Sequence, residues 1–506
     1  MKTVTHNRIS WVWPAFIILT GYNFWQLLHH AMWRDELQAW LIATESRGSF
    51  SELWRAMSYE PQPGIWHVLI WLLSHISTDP FLMQLFHFIC GTATATLILR
   101  YAPFDSVQRL MIITGYFLSF EYLLISRSYA LGVLFLFLFC SQYKTLKQKA
   151  ALGGIVLGFL ANTSTYGAIL SMALWGGLMA DIIMHRKHMT TDDTKKAGGH
   201  LVTLSAWYCS LLLISLGLTL FSRGKWAPWW DLDFRGQKAL MVALFQLLSM
   251  VPVPDFSVEF WNTLALLGKY SAPSAMLYAL RAVSGIFVLV SIGLILSRTR
   301  IGLWAFLFGS GGMMALQYVK VFGFIRYSGH LFLLFLACVW LGEGPWKTRN
   351  APVPLPILSK TLFVVLLAVN IFAAAVAGYY HANNPFSCGK EMAAFIRENR
   401  FDGRPIIGHI NYTMPTISGY LGRKIYHVQT GKPESFIRWD DDSQREVSAR
   451  NIMDFGTSVA AETKQSPLFL FNFPWANQGL RLIHQTTGAI VGDENYYLYE
   501  HMPELR

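Results

Sequence analysis

Met32-Trp-Arg-Asp-Glu-Leu-Gln-Ala-Trp-Leu-Ile42 follows directly on the first long apolar run of the chain. Trp33, Leu37, Trp40 and Leu41 recur in it at helical spacing, with Asp35 and Glu36 among them. That pattern lays a helix along a membrane surface, apolar side inward and carboxylates toward water. A carboxylate at that depth can meet a lipid-borne group on one side and a water-borne group on the other. The apolar run before it does not read as a cleavable signal peptide. No small-residue cleavage site follows His29-His30 before the acidic helix starts.

Composition extends this reading to most of the chain. Of 506 residues, 53% are apolar, 15% aromatic and 14% charged, whereas soluble domains carry about a quarter charged residues. Long apolar runs recur from residue 10 to residue 380, which predicts a polytopic α-helical membrane protein. The net charge of +11 invites a nucleic-acid partner. Its Lys and Arg residues, however, sit mostly in short loops between apolar runs, where lipid orientation puts them, and no nucleic acid is expected. Nineteen Trp suit anchoring at the headgroup level. Cys90, Cys140, Cys209 and Cys338 lie in apolar runs and Cys388 in the polar tail, without disulfide or zinc spacing.

Eleven spanning segments are expected, near 10–31, 80–99, 108–125, 128–143, 150–165, 167–184, 201–221, 280–297, 302–320, 327–343 and 359–379. Two shorter apolar helices, 63–77 and 239–251, reach roughly 20–22 Å, short of the ~30 Å hydrocarbon core. If the N-terminus is cytoplasmic and neither crosses, every strongly basic short loop lands inside. These include Arg100 and Arg109, Lys144 to Lys149, Arg186 to Lys196, Arg298 and Arg300, and Lys347 and Arg349. The same parity places outside the first loop (31–78), the 121–129 corner, the large loop 222–279, Arg326, His330 and everything after residue 380.

Residues 381–506 are polar and mixed in charge. Pro405-Ile-Ile-Gly-His-Ile, Lys424-Ile-Tyr-His-Val, Leu468-Phe-Leu-Phe and Tyr496-Tyr-Leu-Tyr read as strands, and 387–399, 445–454 and 475–486 as helices. The expected architecture is a transmembrane domain, 1–380, followed by a small soluble α/β domain, 381–506.

Several polar groups on the outer face carry candidate chemistry. Asp35 and Glu36 can be solvated charges capping an interfacial helix, or one can be a general base for a hydroxyl acceptor. Neighbours on a helix point about 100° apart, so the second would orient the first or hold a cation. Glu60 and Gln62 belong to Tyr59-Glu-Pro-Gln-Pro-Gly-Ile-Trp66, whose prolines break one helix and start the next. They are either part of a rigid turn or line the same site. In Glu121-Tyr-Leu-Leu-Ile-Ser-Arg-Ser-Tyr129, Glu121 and Arg127 form a structural ion pair, or Arg127 and Tyr129 grip a phosphate. Lys225 and Trp226 offer a cation and a sugar-stacking face, or plain interfacial anchoring. Arg326 and His330 open a later span from the same side, where an arginine can also merely snorkel. The carboxylates are hard oxygen donors that would accept a divalent cation. His409, His427 and His484 lack ligand spacing, and Asp440-Asp-Asp442 reads as a solvated turn.

Together, the acidic pair behind the first span, the proline-rich turn before a short helix, Arg127-Ser-Tyr129 at a later outer corner and the soluble tail resemble the GT-C glycosyltransferases. The likeness is to the family 39 group and its bacterial relatives: protein O-mannosyltransferases, lipid A aminoarabinose transferases and Rhizobium core galacturonosyltransferases. It is best over residues 10–175 and weaker through 200–380. The resemblance implies a GT-C-like fold in a bacterial inner membrane and a sugar donor carried on polyprenyl phosphate. It also implies inversion at the anomeric carbon and Asp35 as catalytic base. The acceptor would be a glycolipid, a polysaccharide or a protein. The family's turn often reads Tyr-x-Lys or His-Pro-Pro-Leu; Gln62 stands here in place of that Lys or His. The outer arginine of the family matches Arg127. The competing classes are a lipid or sugar transporter, which would place a charge at mid-membrane, and a non-enzymatic membrane assembly protein.

Overall fold

The computed structural model describes residues 11–60, 62–185, 191–224, 256–261, 300–319, 325–342, 354–476 and 479–501, with residue 252 and scattered helical positions between 283 and 296. The expected helix 239–251, most of the span 280–297, and Lys225 and Trp226 lie outside the described residues.

Among the described residues, five helices are long and apolar enough to cross a membrane: Phe81–Tyr101, Tyr129–Leu146, Thr165–Met184, Lys196–Leu220 and Lys360–Asn383. The protein is a largely helical membrane protein. In chain order its first helices are α1 (Val12–His29), α2 (Arg34–Glu45), α3 (Phe50–Met57), α4 (Ile65–Ser74) and α5 (Phe81–Tyr101). Then come α6 (Ser106–Thr114), α7 (Tyr129–Gln148), α8 (Ala150–Ala161), α9 (Thr165–His185) and α10 (Thr191–Leu220). The later ones are α11 (Arg300–Val319), α12 (Ile325–Leu341) and α13 (Pro354–Asn383).

Several of the eleven expected spans fall outside these five helices, each for a local reason. The 108–125 run breaks at Gly115, whose extended backbone ends α6; a π-type turn, Phe117–Glu121, follows it. Helix α8 has 12 residues, roughly 18 Å, well short of the ~30 Å core. Helix α12 has 17 residues. In α1, Asn23 and Gln26 dilute the apolar run and turn inward, where both are buried. In α11, Gly309, Gly311 and Gly312 dilute the apolar run, as does Gln317, which is buried. The short apolar segment near 63–77 is the helix Ile65–Ser74, 10 residues long.

The tail forms a six-stranded sheet of order β3-β2-β1-β4-β6-β5. Strands β1 (Ile406–His409), β2 (Ile425–His427) and β4 (Leu468–Phe471) run parallel. Strands β3 (Lys432–Glu434), β5 (Leu480–Thr486) and β6 (Tyr496–His501) pair antiparallel. Successive side chains on a strand point to opposite faces. Ile406, Leu468 and Leu470 therefore pack on α14 (Gly389–Glu398) and α15 (Met414–Leu421), while Ile407, Phe469 and Phe471 pack on α16 (Ala449–Thr463). Apolar residues on both faces are what a sheet buried between helices requires. The expected helix 475–486 is a correction: Leu480–Thr486 is a strand beside β6. Gly479, at φ +103°, turns the chain into it.

This domain is seated on α2. Helix α15 packs against α2 so closely that a Cβ on Gly419 would stand 2.9 Å from Leu37. Tyr420 Oη accepts a hydrogen bond from the Met32 N–H at 2.6 Å. Phe436 joins the apolar cluster of Leu37, Trp40 and Trp66.

Candidate functional site

Asp35 and Glu36 share a helical turn and have opposite surroundings. Glu36 is sealed, with a side chain 0% exposed. Its Oε2 meets His30 Nε2 at 3.0 Å and accepts the Trp33 N–H at 3.2 Å. Its Oε1 accepts the Ser126 N–H at 2.6 Å. His30 in turn contacts His381 at 3.0 Å. Glu36 thereby ties together the end of α1, the start of α2, the 121–129 corner and α13. Asp35, one residue earlier, is 30% exposed and faces a cavity, where Arg127 Nη1 lies 2.9 Å from its Oδ2.

That cavity holds about 320 Å³. Trp33, Arg34, Asp35 and Gln38 enter it from the start of α2, and Glu60, Gln62, Trp66 and His67 from the proline-rich turn and α4. Arg127 and Ser128 come from the later corner, Arg326 and Tyr327 from α12, and Tyr412 and Trp439 from the soluble domain. Six stretches of sequence thus converge. Three arginines line the walls. Arg34 is held by Asp493 at 2.8 Å and Glu494 at 3.2 Å. Burial works against its charge, and the two carboxylates more than offset that, keeping its pKa above the ordinary arginine value. Arg127 lies against Asp35, with Tyr129 5.0 Å below its guanidinium. Arg326 lies over Trp33, Trp261 and Tyr327 at 4.8–5.4 Å.

Glu60 Oε1 accepts a hydrogen bond from Gln38 Nε2 at 2.9 Å. Burial pushes the Glu60 carboxyl up to about 7; the Gln38 bond works the other way, and nearby Asp35 adds to the rise. Glu60 therefore titrates near neutrality, within the same cavity as Asp35. Gln38 also brackets Ile437, donating to its carbonyl at 2.7 Å and accepting its N–H at 2.9 Å. This fixes the segment that carries Trp439.

Of the residues singled out from sequence, Asp35, Glu60, Gln62, Arg127 and Arg326 line the cavity. Glu121, Tyr129 and His330 do not. Glu121 accepts hydrogen bonds from Tyr116 and Trp261, both at 2.9 Å. Tyr129 and His330 pack with Tyr122 and Tyr166 behind Arg127. Sequence reading missed Gln38, His67, Tyr412 and Trp439. Tyr412 had one signal, an aromatic residue just past the carboxyl end of a central parallel strand. Trp439 had none that is local.

A second cavity, about 540 Å³, lies at the other ends of the same helices, between Tyr101, Arg109, Lys144 and Trp340. Among the described residues, its lining holds no carboxylate. Arg109 there donates to the carbonyls of Leu99 and Phe104. Among the described residues, no three His, Cys, Asp or Glu side chains gather as a metal ion would require.

The first cavity unites a partly exposed carboxylate, clustered guanidinium groups and several aromatic faces at the boundary between helices and soluble domain. Such a set binds a phosphate, stacks on a ring and accepts a proton. In comparison with known proteins, the chain matches no family model and no curated protein.

Proposed function

We propose that this protein is a glycosyltransferase that moves a sugar from a polyprenyl-phosphate donor to a hydroxyl acceptor at the non-cytoplasmic face of a bacterial inner membrane. The observation that supports this reading most is the pairing of Asp35 with Arg127 inside a cavity that Arg326 also lines. A phosphate leaving group needs its charge held rather than a proton supplied, and guanidinium groups hold it in fixed geometry. The donor phosphate draws Arg127 away from Asp35. The freed carboxylate then takes the proton of the acceptor hydroxyl. The acceptor oxygen bonds to the anomeric carbon from the side opposite the phosphate. The bond from that carbon to the phosphate oxygen breaks, and its electron pair leaves with the polyprenyl phosphate. The anomeric centre is inverted and the proton rests on Asp35 until water removes it.

Glu36 holds the helix end that presents Asp35 and is a positioning residue. Asp35 and Glu60 also offer oxygen to a divalent cation; turnover with and without a chelator separates that role from proton transfer. The test is transfer from a radiolabelled polyprenyl-phosphate sugar by the purified full-length protein. Asp35→Asn is expected to abolish transfer while the melting temperature is kept. Near-normal turnover in that variant would refute the base role. Retention of the donor lipid without any sugar release by the unmodified protein would favour a transporter or an assembly protein instead.

A further inference from the structure

Two of the rings lining the cavity, Tyr412 and Trp439, belong to the soluble domain. The topology explains why they arrive together. The central strand β1 has parallel neighbours on both sides, β2 and β4; the crossover from β1 to β2 and the one from β3 back to β4 run in opposite directions along the sheet and over opposite faces. Open sheets bind ligands in the crevice outside the carboxyl ends of strands at such a switch point. Here β1 ends at His409, three residues before Tyr412, and β4 ends one residue before Asn472. The carboxyl ends face α2. Asn472 donates to the Asp493 carbonyl at 3.2 Å, and Asp493 holds Arg34 of the cavity wall. Among the described residues, the enclosed oxygens Gln429 Oε1 and Asn472 Oδ1 meet no hydrogen-bond partner. Gln429, itself buried, holds His409 at 3.0 Å with its other amide atom. Buried acceptors of this kind are costly unless a ligand or water satisfies them. Tyr412, just past the carboxyl end of β1, is thus the residue through which this end of the sheet reaches the cavity.

We infer that this junction is the acceptor subsite, and that the acceptor is a carbohydrate chain laid against Trp439 and Tyr412, with hydroxyls directed to the polar crevice at the end of β1. The inference rests on the transferase reading and adds the acceptor class to it. Aromatic planes beside hydrogen-bond acceptors match a sugar ring, which presents C–H groups on one face and hydroxyls on its rim. Arg34 lies over Tyr412 at 5.1 Å, and Gln38 pins the backbone beside Trp439, so both rings are pre-positioned. A peptide acceptor would favour an open strand edge. Edge strand β3 has three residues and contains Pro433, and edge strand β5 stands two strands away from β4.

The test uses full-length protein and two probes: oligosaccharides released by mild acid from the envelope of the producing cells, and tryptic peptides from the same envelope. Saturation-transfer NMR reads binding, and release of sugar from the lipid donor to water reads donor chemistry separately. The expected result is oligosaccharide binding that falls at least about tenfold in Trp439→Ala and Tyr412→Ala, recovers in Trp439→Phe, and persists in Asp35→Asn. Donor cleavage to water by the unmodified protein is recorded alongside, as the readout of the transferase reading alone. Equal oligosaccharide binding by Trp439→Ala and the unmodified protein, or binding of the peptides alone, overturns the inference even if donor cleavage is intact. Absence of donor cleavage in the unmodified protein removes the transferase reading instead.

Discussion

The two ends of the helix bundle carry cavities of different character. The one between Tyr101, Lys144 and Trp340 is the larger, about 540 Å³, yet among the described residues its lining holds no carboxylate. The one at Asp35 holds about 320 Å³ and mixes acid, guanidinium and aromatic groups from six stretches of chain. Helix α7 links them, with Arg127 just before its first turn and Lys144 near its last. What separates a candidate reaction site from a basic membrane-facing hollow is therefore not size. It is an acid and a cation held in contact within reach of water.

The strongest way to break this contrast is Asp35→Asn. Loss of a general base costs about 10²–10⁴-fold in rate, and a drop of that order is expected in sugar transfer, with folding unchanged. Arg127→Ala should follow, at about 10²-fold, seen as poor use of the lipid donor. Rates within two-fold of normal would remove Arg127 from the phosphate site. Glu36→Ala tests the sealed partner. It leaves His30 and the Trp33 and Ser126 N–H groups without their acceptor, and breaking such a buried pair costs about 3–5 kcal/mol. A clear fall in melting temperature is the expected signature, with lost activity as its consequence. An unchanged melting temperature would mean that Glu36 does not hold the corner.

Glu60 sharpens the comparison through pH. Its carboxyl is pushed up to about 7 from an ordinary value of 4.5. Below the lower value, folded and unfolded chains both keep the proton. Between the two, the unfolded chain releases it and the fold does not, so stability from this group declines as pH rises and levels off above 7. Glu60→Gln should abolish that decline. Melting curves recorded from about pH 5 to 8 should show the variant gaining on the unmodified protein by a few degrees at most. The smallest effect is expected at the other cavity: Lys144→Ala should leave transfer within about two-fold, as for most substitutions remote from a site. A loss there comparable to that of Arg127→Ala would erase the distinction between the two ends.

Local sequence carried part of this. The apolar runs marked the helices at 81–101, 129–146, 165–184, 196–220 and 360–383 because hydrocarbon demands a length and an apolarity that short-range composition records. Leu468-Phe-Leu-Phe read as a strand since both of its faces are buried. The same apolarity is less decisive where polar side chains turn inward, as Asn23 and Gln26 do in the helix Val12–His29, and it misled where Gly115 interrupts the 108–125 run. At the site, Asp35, Arg127 and Arg326 were visible as costly charges near the ends of apolar runs. The divergence of Asp35 from Glu36 was foreseeable only as an angle. Which of the two faced water depended on Ser126, ninety positions away. The contribution of Tyr412 and Trp439 was hidden for the same reason. Arg34 meets Asp493 and Glu494 across some 460 positions, and no periodicity encodes a contact of that span.

The bolts that close the pocket, Ile437 on Gln38 and Glu494 on Arg34, are fastened across about 400 and 460 positions of chain. A copy whose sheet domain has come unfolded therefore keeps Asp35 and Arg127 but loses the wall that completes their chamber. Local melting of that domain alone would open the cavity while leaving the helices that carry the acid and the cation in place.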